Sequence, residues 1–398
     1  MTLPPLNRYL DASATSPPSE AVMEAMREEA ALTWANPSSL HGWGLAAADC
    51  LERSRLRLAS AVGVGPDQVV LCSGGSEAIH LALLGSAATM PPGRLLLSAV
   101  EHPASEAAAS WLHRQGWLVE HLPVDGQGRI DLNHLAERLQ PPTRLVSLLW
   151  GQNEVGTLQA IGTIGDLCRA AGVRLHVDAV QVLGHVPIDL KRLPVDLLSC
   201  TAHKLQGPRG IGMLALADGV CLEPMIGGGG QERGRRGGTE PVLLAHGFAT
   251  AVDQALARLA AHGGRDPLSG LRDRLWDRLQ HLEGVQLSGA DPATAGSRLP
   301  HHLSLLVSDP EGDPVSGRAL VRTLARMGWS VSSGSACSHG RGAEGGSPVL
   351  RAMGHADAAS RSGLRISLGP WTEAADLDAF PAALDLARRD PAVRQSDG

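Results

Sequence analysis

The feature that most constrains the fold of this chain is an alternation of short apolar runs and helix-like stretches between about residues 17 and 260. The apolar runs have the size and composition of strands buried on both faces, and they are 69–72, 94–98, 145–149, 173–177, 197–200 and 210–216. Helix-like stretches separate several of these runs, for example 76–87, 103–115 and 162–171. Repetition of strand, helix and strand predicts the α/β fold class, with a mostly parallel central sheet covered by helices.

The pattern changes after the glycine pair at 263–264, which is typical of a domain boundary. Strand-like runs then follow at 302–307 and 364–368 among helix-like stretches, as in an α+β unit. We therefore predict a large cofactor-binding domain of residues 17–262 and a small domain formed by residues 1–16 and 263–398.

The composition excludes several classes of protein. A formal net charge of −6 argues against a general nucleic-acid-binding surface. No apolar run reaches the roughly 18 residues that a membrane helix needs, and the first residues lack a signal-peptide layout. We therefore expect a cytoplasmic enzyme that contacts neither a membrane nor a nucleic acid directly.

The six cysteines form no CxxC pair and no repeated spacing, so we predict neither a disulfide framework nor a metal site. Five of them sit beside apolar residues and are predicted to be buried, namely Cys50, Cys72, Cys168, Cys200 and Cys221. Cys337 differs, because it lies in a Ser-Gly-Ser-Ala-Cys-Ser-His-Gly stretch with nothing to bury it. An exposed thiol of this kind indicates that the thiol is used.

The 35 basic side chains comprise 33 arginines and only two lysines, Lys191 and Lys204. Lys204 follows the predicted strand 197–200, and the carboxyl end of a parallel strand points into the crevice where α/β sheets bind ligands. A lysine there can form a Schiff base with an aldehyde cofactor, although a surface loop lysine has the same local sequence. Lys191 lies in a polar connection and is predicted to be solvated.

Two further features belong with Lys204. Asp178 ends the preceding predicted strand, where it could pair with a pyridinium nitrogen or merely cap a helix. The turn Ser-Gly-Gly-Ser-Glu at 73–77 joins a strand to a helix whose free N–H groups can bind a phosphate, although Ser76 alone could be only a helix cap. Together these features meet the three demands of pyridoxal phosphate.

Several motifs accompany these features in a fixed order along the chain. They are Ala-Asn-Pro-Ser-Ser-Leu-His at 35–41, Glu-His-Pro at 101–103, Asn-Glu-Val-Gly at 153–156, Ala-His-Lys at 202–204, Ser-Ser-Gly-Ser-Ala-Cys (SSGSAC) at 332–337 and Arg-Ile-Ser-Leu-Gly at 365–369. From residue 9 to about 377 the sequence resembles the cysteine desulfurases, which are fold-type I pyridoxal-phosphate enzymes of the class V aminotransferase superfamily. The cysteine loop resembles that of the iron–sulfur-assembly type, which has the longer loop.

The resemblance implies a role for individual residues. Lys204 would bind the cofactor and then shuttle the α-proton of the substrate, and His102 would stack on the ring and assist proton transfer. Asp178 would pair with the ring nitrogen and Gln181 with the phenolic oxygen. The phosphate would be held by Gly75, Ser76, Thr201 and His203, with Thr239 reaching over from a second subunit. The substrate carboxylate would be received by Arg365, Asn36 and Asn153, the last also beside the cofactor.

Two of these positions depart from the family pattern, because Ser76 replaces the usual Thr and Gly75 replaces the usual Ala. The implied reaction converts L-cysteine to L-alanine, and the Cys337 thiolate attacks the substrate sulfur and becomes a persulfide. The sulfur would then pass to an acceptor protein, for iron–sulfur cluster assembly or for thiolation, and the enzyme would be a homodimer. A selenocysteine lyase or a cysteine sulfinate desulfinase is an alternative on the same cofactor. A non-catalytic sulfur-relay scaffold is disfavoured because Lys204 and Asp178 are both present.

Overall fold

A computed structural model describes residues 3–334 and 346–394 of the chain. Its centre is a seven-stranded sheet with the order β1-β7-β6-β5-β4-β2-β3. The strands are β1 Val69–Cys72, β2 Arg94–Ser98, β3 Leu118–Leu122, β4 Thr143–Leu149, β5 Arg174–Asp178, β6 Leu197–Thr201 and β7 Gly212–Leu216. β7 is antiparallel to both of its neighbours, and the other strands run in one direction. The predicted α/β class with a mostly parallel sheet is confirmed.

Seven helices accompany this sheet. They are α1 Glu20–Ala30, α2 Gly42–Val62, α3 Gly75–His80, α4 Pro103–Arg114, α5 Leu132–Arg138, α6 Ile161–Ala171 and α7 Val242–Ala261. α3 continues without a break into a π-helical turn at Leu81–Gly85. α2 and α6 each end at a glycine in the left-handed conformation, Gly63 with φ 78° and Gly172 with φ 68°. Glycine adopts this conformation without strain, so both helix ends follow from the local sequence.

Two features of the structure, one strand and one cysteine, differ from the sequence prediction. β3 was not predicted, because the polar residues Glu120 and His121 interrupt its apolar run. As an edge strand that pairs only with β2, it is half exposed and does not need a continuous apolar run. Four of the five cysteines predicted to be buried are buried, but Cys221 is exposed. It lies in the irregular segment that follows β7.

A second sheet has three antiparallel strands in the order β10-β9-β8. Its strands are β8 Val285–Leu287, β9 His302–Val307 and β10 Gly363–Ser367. The remaining helices are α8 Leu268–Leu279, α9 Gly317–Arg326, α10 Pro348–Ala352, α11 Asp357–Arg361, α12 Phe380–Arg388 and α13 Pro391–Arg394. This part of the chain therefore has the α+β character that the sequence predicted.

The apolar side chains bury themselves in separate clusters. The largest cluster lies around the central sheet, whereas another contains side chains of α8, β9, α9, β10 and α12. Leu10 from the start of the chain belongs to the second cluster, although it precedes α1. This clustering supports the division into residues 17–262 and residues 1–16 with 263–398, which we keep as a proposal. None of the helices in the described ranges is long and apolar enough to cross a membrane.

Candidate active site

The carboxyl ends of β5 and β6 bring Asp178 and Lys204 to one edge of the central sheet. Asp178 is the last residue of β5, and Lys204 ends the short 3₁₀ turn Ala202–Lys204 that directly follows β6. The two strands are parallel neighbours, so their ends open into the same crevice. Both side chains line one cavity of about 250 Å³.

Most of the predicted site residues line this cavity. It is lined by Gly75, Ser76, His102, Asn153, Asp178, Gln181, Thr201, His203, Lys204 and Arg365, all of them predicted. The sequence prediction missed its other lining residues, which are Ser13, Ala14, Ile79, Leu149, Gly151 and Val180. Ser13 and Ala14 were missed because they precede the first strand by more than 50 residues and carry no motif.

Lys204 donates hydrogen bonds from Nζ to two backbone carbonyl oxygens, that of Ser13 at 2.5 Å and that of Ala14 at 2.8 Å. It is half buried in the crevice, so the alternative of a solvated surface lysine is wrong. The other lysine, Lys191, is exposed as predicted. The amine at this sheet edge is therefore held by main-chain acceptors of the N-terminal segment.

Asp178 is buried, and its Oδ1 accepts a hydrogen bond from the Val180 N–H at 2.9 Å. Burial raises the pKa of Asp178 to about 6, while the Val180 N–H and the charge of Lys204 act in the opposite direction. A carboxylate held out of water in this way binds a cationic partner strongly. A protonated pyridine nitrogen is a partner of that kind.

His102 caps the N-terminus of α4, where its Nδ1 accepts a hydrogen bond from the Ala104 N–H at 3.1 Å. Burial and then the charge of Lys204 lower the pKa of His102 to about 4. The imidazole is therefore neutral near pH 7, with its proton on Nε2 because Nδ1 is an acceptor. A neutral ring fixed at Nδ1 is suited to stacking and to exchanging a proton through Nε2.

The predicted phosphate ligands lie around the N-terminus of α3. Gly75 and Ser76 begin that helix, and a Cβ atom on Gly75 would lie 2.8 Å from Val180 Cγ2. The glycine found in place of the usual Ala therefore makes room for Val180. Thr201 Oγ1 donates to the carbonyl of Ile211 at 3.0 Å. His203 Nδ1 lies 3.0 Å from Thr15 Oγ1, and burial followed by the charge of Lys204 lowers its pKa to about 4.

Arg365 lies on β10 of the small sheet, and it lines the cavity at the edge of the central sheet. Its guanidinium donates to the Asn153 carbonyl at 3.0 Å and to Asp11 Oδ1 at 2.7 Å. Its Nε is buried and has no hydrogen-bond partner in the ranges that the structure describes. A buried guanidinium with a donor to spare can bind a carboxylate.

Two predicted site residues, Asn36 and Thr239, do not line the cavity. Asn36 is exposed, and its Oδ1 accepts from the Ser38 N–H at 2.8 Å. Thr239 is also exposed. Cys337 lies outside the described residues. The roles of all three stay predictions.

Glu101 is a buried carboxyl that the sequence analysis did not single out. Its Oε1 accepts from the Leu149 N–H at 3.0 Å, and its Oε2 has no partner among the described residues. Burial raises the pKa of Glu101 to about 8. Its position at the start of the Glu-His-Pro motif, directly before His102, was the available signal.

The residues of the cavity fit pyridoxal phosphate. They supply an amine, a buried carboxylate, hydroxyl and helix N–H donors, and a spare guanidinium donor. Gly75 leaves the start of α3 open, whereas a side chain there would press on Val180. The chemistry of this set matches a ligand with an aldehyde, a ring nitrogen and a phosphate.

Comparisons with known proteins agree with this geometry. Residues 8–380 match the model of the aminotransferase class-V family. The chain is 38% identical over 374 residues to a cysteine desulfurase of Cereibacter sphaeroides, which covers 93% of this chain and 92% of the relative. A solved NifS-like protein superposes with a TM-score of 0.86 at 30% identity, covering 96% of this chain and 98% of that one. A solved complex of SspA with cysteine gives a TM-score of 0.79 at 28% identity, covering 92% and 100%. The chain therefore belongs to the class-V aminotransferase family and, within it, to the cysteine desulfurases.

Proposed function

We propose that this desulfurase converts L-cysteine to L-alanine with pyridoxal phosphate bound at Lys204, and that the sulfur is transferred first to Cys337. The convergence of Lys204 and Asp178 in one cavity carries the proposal, because it places an amine and a buried carboxylate where a cofactor with an aldehyde and a ring nitrogen would need them. When bound, the cofactor supplies an electron-withdrawing ring that weakens bonds at the α-carbon of the substrate.

The large-domain residues hold and orient the cofactor in this proposal. Asp178 keeps the ring nitrogen protonated. The Gln181 amide donates one N–H to the Ser13 carbonyl, and its second N–H is available for the phenolic oxygen. Ser76, Thr201 and His203 bind the phosphate. His102 provides a neutral aromatic face for the ring.

Proton movement falls to Lys204 and His102. The Lys204 amine accepts the α-proton of the substrate, and the Ser13 and Ala14 carbonyls stabilise the ammonium that results. His102 Nε2 assists, because Nδ1 is occupied by the cap of α4. Arg365, with Asn153 and Asn36, binds the substrate carboxylate and so fixes which bond at the α-carbon faces the ring.

Sulfur transfer requires a thiolate, and four of the five described cysteines are buried and unsuited to supply one. Burial raises the pKa of Cys50, Cys72 and Cys200, and it raises that of Cys168 to about 12. These thiols therefore stay protonated and out of reach. In the proposed step, the Cys337 thiolate attacks the substrate sulfur, and the carbon–sulfur electron pair stays on the β-carbon, which takes up a proton. Return of the α-proton from Lys204 then completes L-alanine.

We further propose that the enzyme is a cytoplasmic homodimer. Apolar side chains are exposed around the start of α2, where the ring centroids of Trp34 and Trp43 lie 5.8 Å apart and Leu40 is 91% exposed. Large apolar side chains that are exposed close together in the chain are typical of an interface. A second copy on this surface is the occupant we propose, with Thr239 of that copy completing the phosphate site. The persulfide would then pass to an acceptor protein for iron–sulfur cluster assembly or thiolation.

The test of this function is transfer of sulfur-35 from labelled L-cysteine, followed by mapping of the labelled peptide. We expect label on Cys337 and loss of desulfuration in Cys337→Ala. Cys221→Ala is the matched control, because Cys221 is the exposed thiol within the described ranges, and this variant should keep both label and activity. Label on any cysteine other than Cys337 contradicts the proposed transfer.

A further inference from the structure

A buried line of polar side chains runs from the small domain to the cavity. Asp266 Oδ2 lies 2.6 Å from His185 Nδ1. The His185 ring stacks on the His301 ring with centroids 3.8 Å apart and planes inclined by 22°. His301 Nε2 in turn lies 3.3 Å from Ser13 Oγ. All four residues are buried.

The first residue of this line, Asp266, is charged, whereas the His301 ring near its other end is neutral. Burial acts to raise the pKa of Asp266, but its hydrogen bond to His185 and the charges of His185 and Arg258 outweigh that, so the pKa is lowered. Burial, followed by the charges of His185 and His302, lowers the pKa of His301 well below its usual value. Asp266 is thus an anionic anchor for His185, and His301 is a neutral imidazole.

Ser13 connects the line to the proposed catalytic amine. Its carbonyl oxygen accepts from Lys204 Nζ at 2.5 Å and from Gln181 Nε2 at 2.9 Å. Its N–H donates to Ser367 Oγ at 2.9 Å, and its own Oγ is the atom that contacts His301. The direction of the Ser13 carbonyl therefore depends on side chains that the N-terminal segment does not itself supply.

The elements involved come from both domains. His185 follows β5, whereas Asp266 precedes α8 and His301 directly precedes β9. His301 is held at its backbone as well, because its carbonyl accepts from the Leu368 N–H at 2.8 Å. A ring fixed at its backbone by the small sheet and on its face by His185 has little freedom to move.

We propose that His301 is a positioning residue for Lys204, acting through Ser13, and that the Asp266–His185 pair holds the His301 ring in place. The inference rests on the proposed role of Lys204 as the cofactor amine. It assigns to His301 the fixing of a main-chain acceptor that stabilises the Lys204 ammonium once the amine has taken a proton. A network of this kind transmits the loss of one member to the others.

The scarcity of lysine makes a direct test possible. Incorporation of lysine labelled with carbon-13 and nitrogen-15 into the full chain gives two side-chain signals, from Lys204 and Lys191. The pH titration of both signals is followed with and without added pyridoxal phosphate, in the wild type and in Ser13→Ala and His301→Ala. Without cofactor, we expect the titration midpoint of Lys204 to fall by about 0.5 pH unit in each variant, because the ammonium loses a well-oriented acceptor. The Lys191 signal should not move.

The controls separate positioning from a loss of fold. Ser304→Ala removes a buried hydroxyl of the small sheet that pairs with Ser288 Oγ at 2.7 Å, and it should leave the Lys204 midpoint unchanged. His301→Gln retains a polar group near Ser13 and should recover part of the shift. The double variant Ser13→Ala/His301→Ala should shift no further than either single variant.

Two results would overturn the inference. One is an unmoved Lys204 signal in folded Ser13→Ala and His301→Ala, and the other is a double variant whose shift is the sum of the two. Failure of the proposed function gives a different result, because Lys204→Ala would then still bind pyridoxal phosphate with its yellow colour, whatever the His301 variants do.

Discussion

Arg55 and Glu232 form a bidentate ion pair in the interior, with Nη1 2.6 Å from Oε2, Nη2 2.8 Å from Oε1 and both side chains 2% exposed. Glu232 Oε2 also accepts from the Leu71 N–H of β1 at 2.8 Å. Glu232 and the next residue, Arg233, have positive φ angles of 51° and 57°. The pair thus fixes the glycine-rich segment that carries Thr239 to the central sheet, in a backbone conformation that is costly for non-glycine residues.

We expect Glu232→Ala to lower the free energy of unfolding by about 3–5 kcal/mol, because it leaves the Arg55 guanidinium buried without its counter-ion. Denaturant unfolding of the full chain measures this loss. Glu24→Ala breaks the exposed pair between Glu24 and Arg27 and is the control, with an expected change below about 0.5 kcal/mol. A similar small change in Glu232→Ala would contradict the structural role of the pair.

The two lysines give a second prediction. Lys204→Ala should lose the yellow absorbance of bound pyridoxal phosphate and all desulfuration, because no other amine lies in the cavity among the described residues. Lys191→Ala should keep both, since Lys191 is an exposed side chain outside the cavity. Absorbance of each purified variant after addition of the cofactor decides the matter, and a yellow Lys204→Ala would refute the assignment.

Asp178 predicts a pH dependence of stability in the cofactor-free chain. Burial raises its pKa from 3.8 to about 6, so the folded protein holds a proton that the unfolded chain has released between these values. The stabilisation is therefore complete below about pH 4 and lost as the pH rises through 6. Wild type should lose on the order of 3 kcal/mol more than Asp178→Asn between pH 4 and 7.

Urea midpoints of the two proteins at both pH values measure this difference. The comparison with Asp178→Asn removes the contributions of buried groups that do not interact with Asp178, such as Glu154. If the urea midpoints of wild type and variant change equally between the two pH values, Asp178 is not buried in its protonated form. Added pyridoxal phosphate should reduce the difference, because a ring cation favours the carboxylate.

Gly75 gives a steric prediction. Gly75→Ala would place a methyl group 2.8 Å from Val180 Cγ2, which forces α3 or Val180 to shift. We expect the affinity for pyridoxal phosphate to fall about tenfold, the equivalent of roughly 1.4 kcal/mol of overpacking. Gly75→Ala/Val180→Ala relieves the contact and should restore binding, as measured by fluorescence titration. Equal affinity of wild type and Gly75→Ala for pyridoxal phosphate would contradict the steric conflict with Val180.

The local sequence determined much of the fold. The apolar runs place β1, β2 and β9 with the bounds observed, because strands covered on both faces must be continuously apolar. The edge strand β3 was not predicted in this way, since a strand with an exposed face lacks a continuous apolar run. The reversed direction of β7 was likewise unpredicted. Strand direction is set by the connection and by the neighbouring strands, and the residues of Gly212–Leu216 do not encode it.

Some residues of the site could likewise be predicted from the sequence, whereas others are shown only by the tertiary structure. Asp178 and Lys204 could be placed together from the sequence because each lies at a strand end, and parallel strands end at one edge of the sheet. Ser13, which receives the Lys204 hydrogen bond, is 191 residues away along the chain, and His301 lies 288 residues beyond Ser13. Contacts over such separations leave no periodicity or spacing in the sequence. The sequence by itself therefore determined the sheet and the chemistry of its edge, whereas tertiary packing between segments far apart in the chain decided what holds the amine in place.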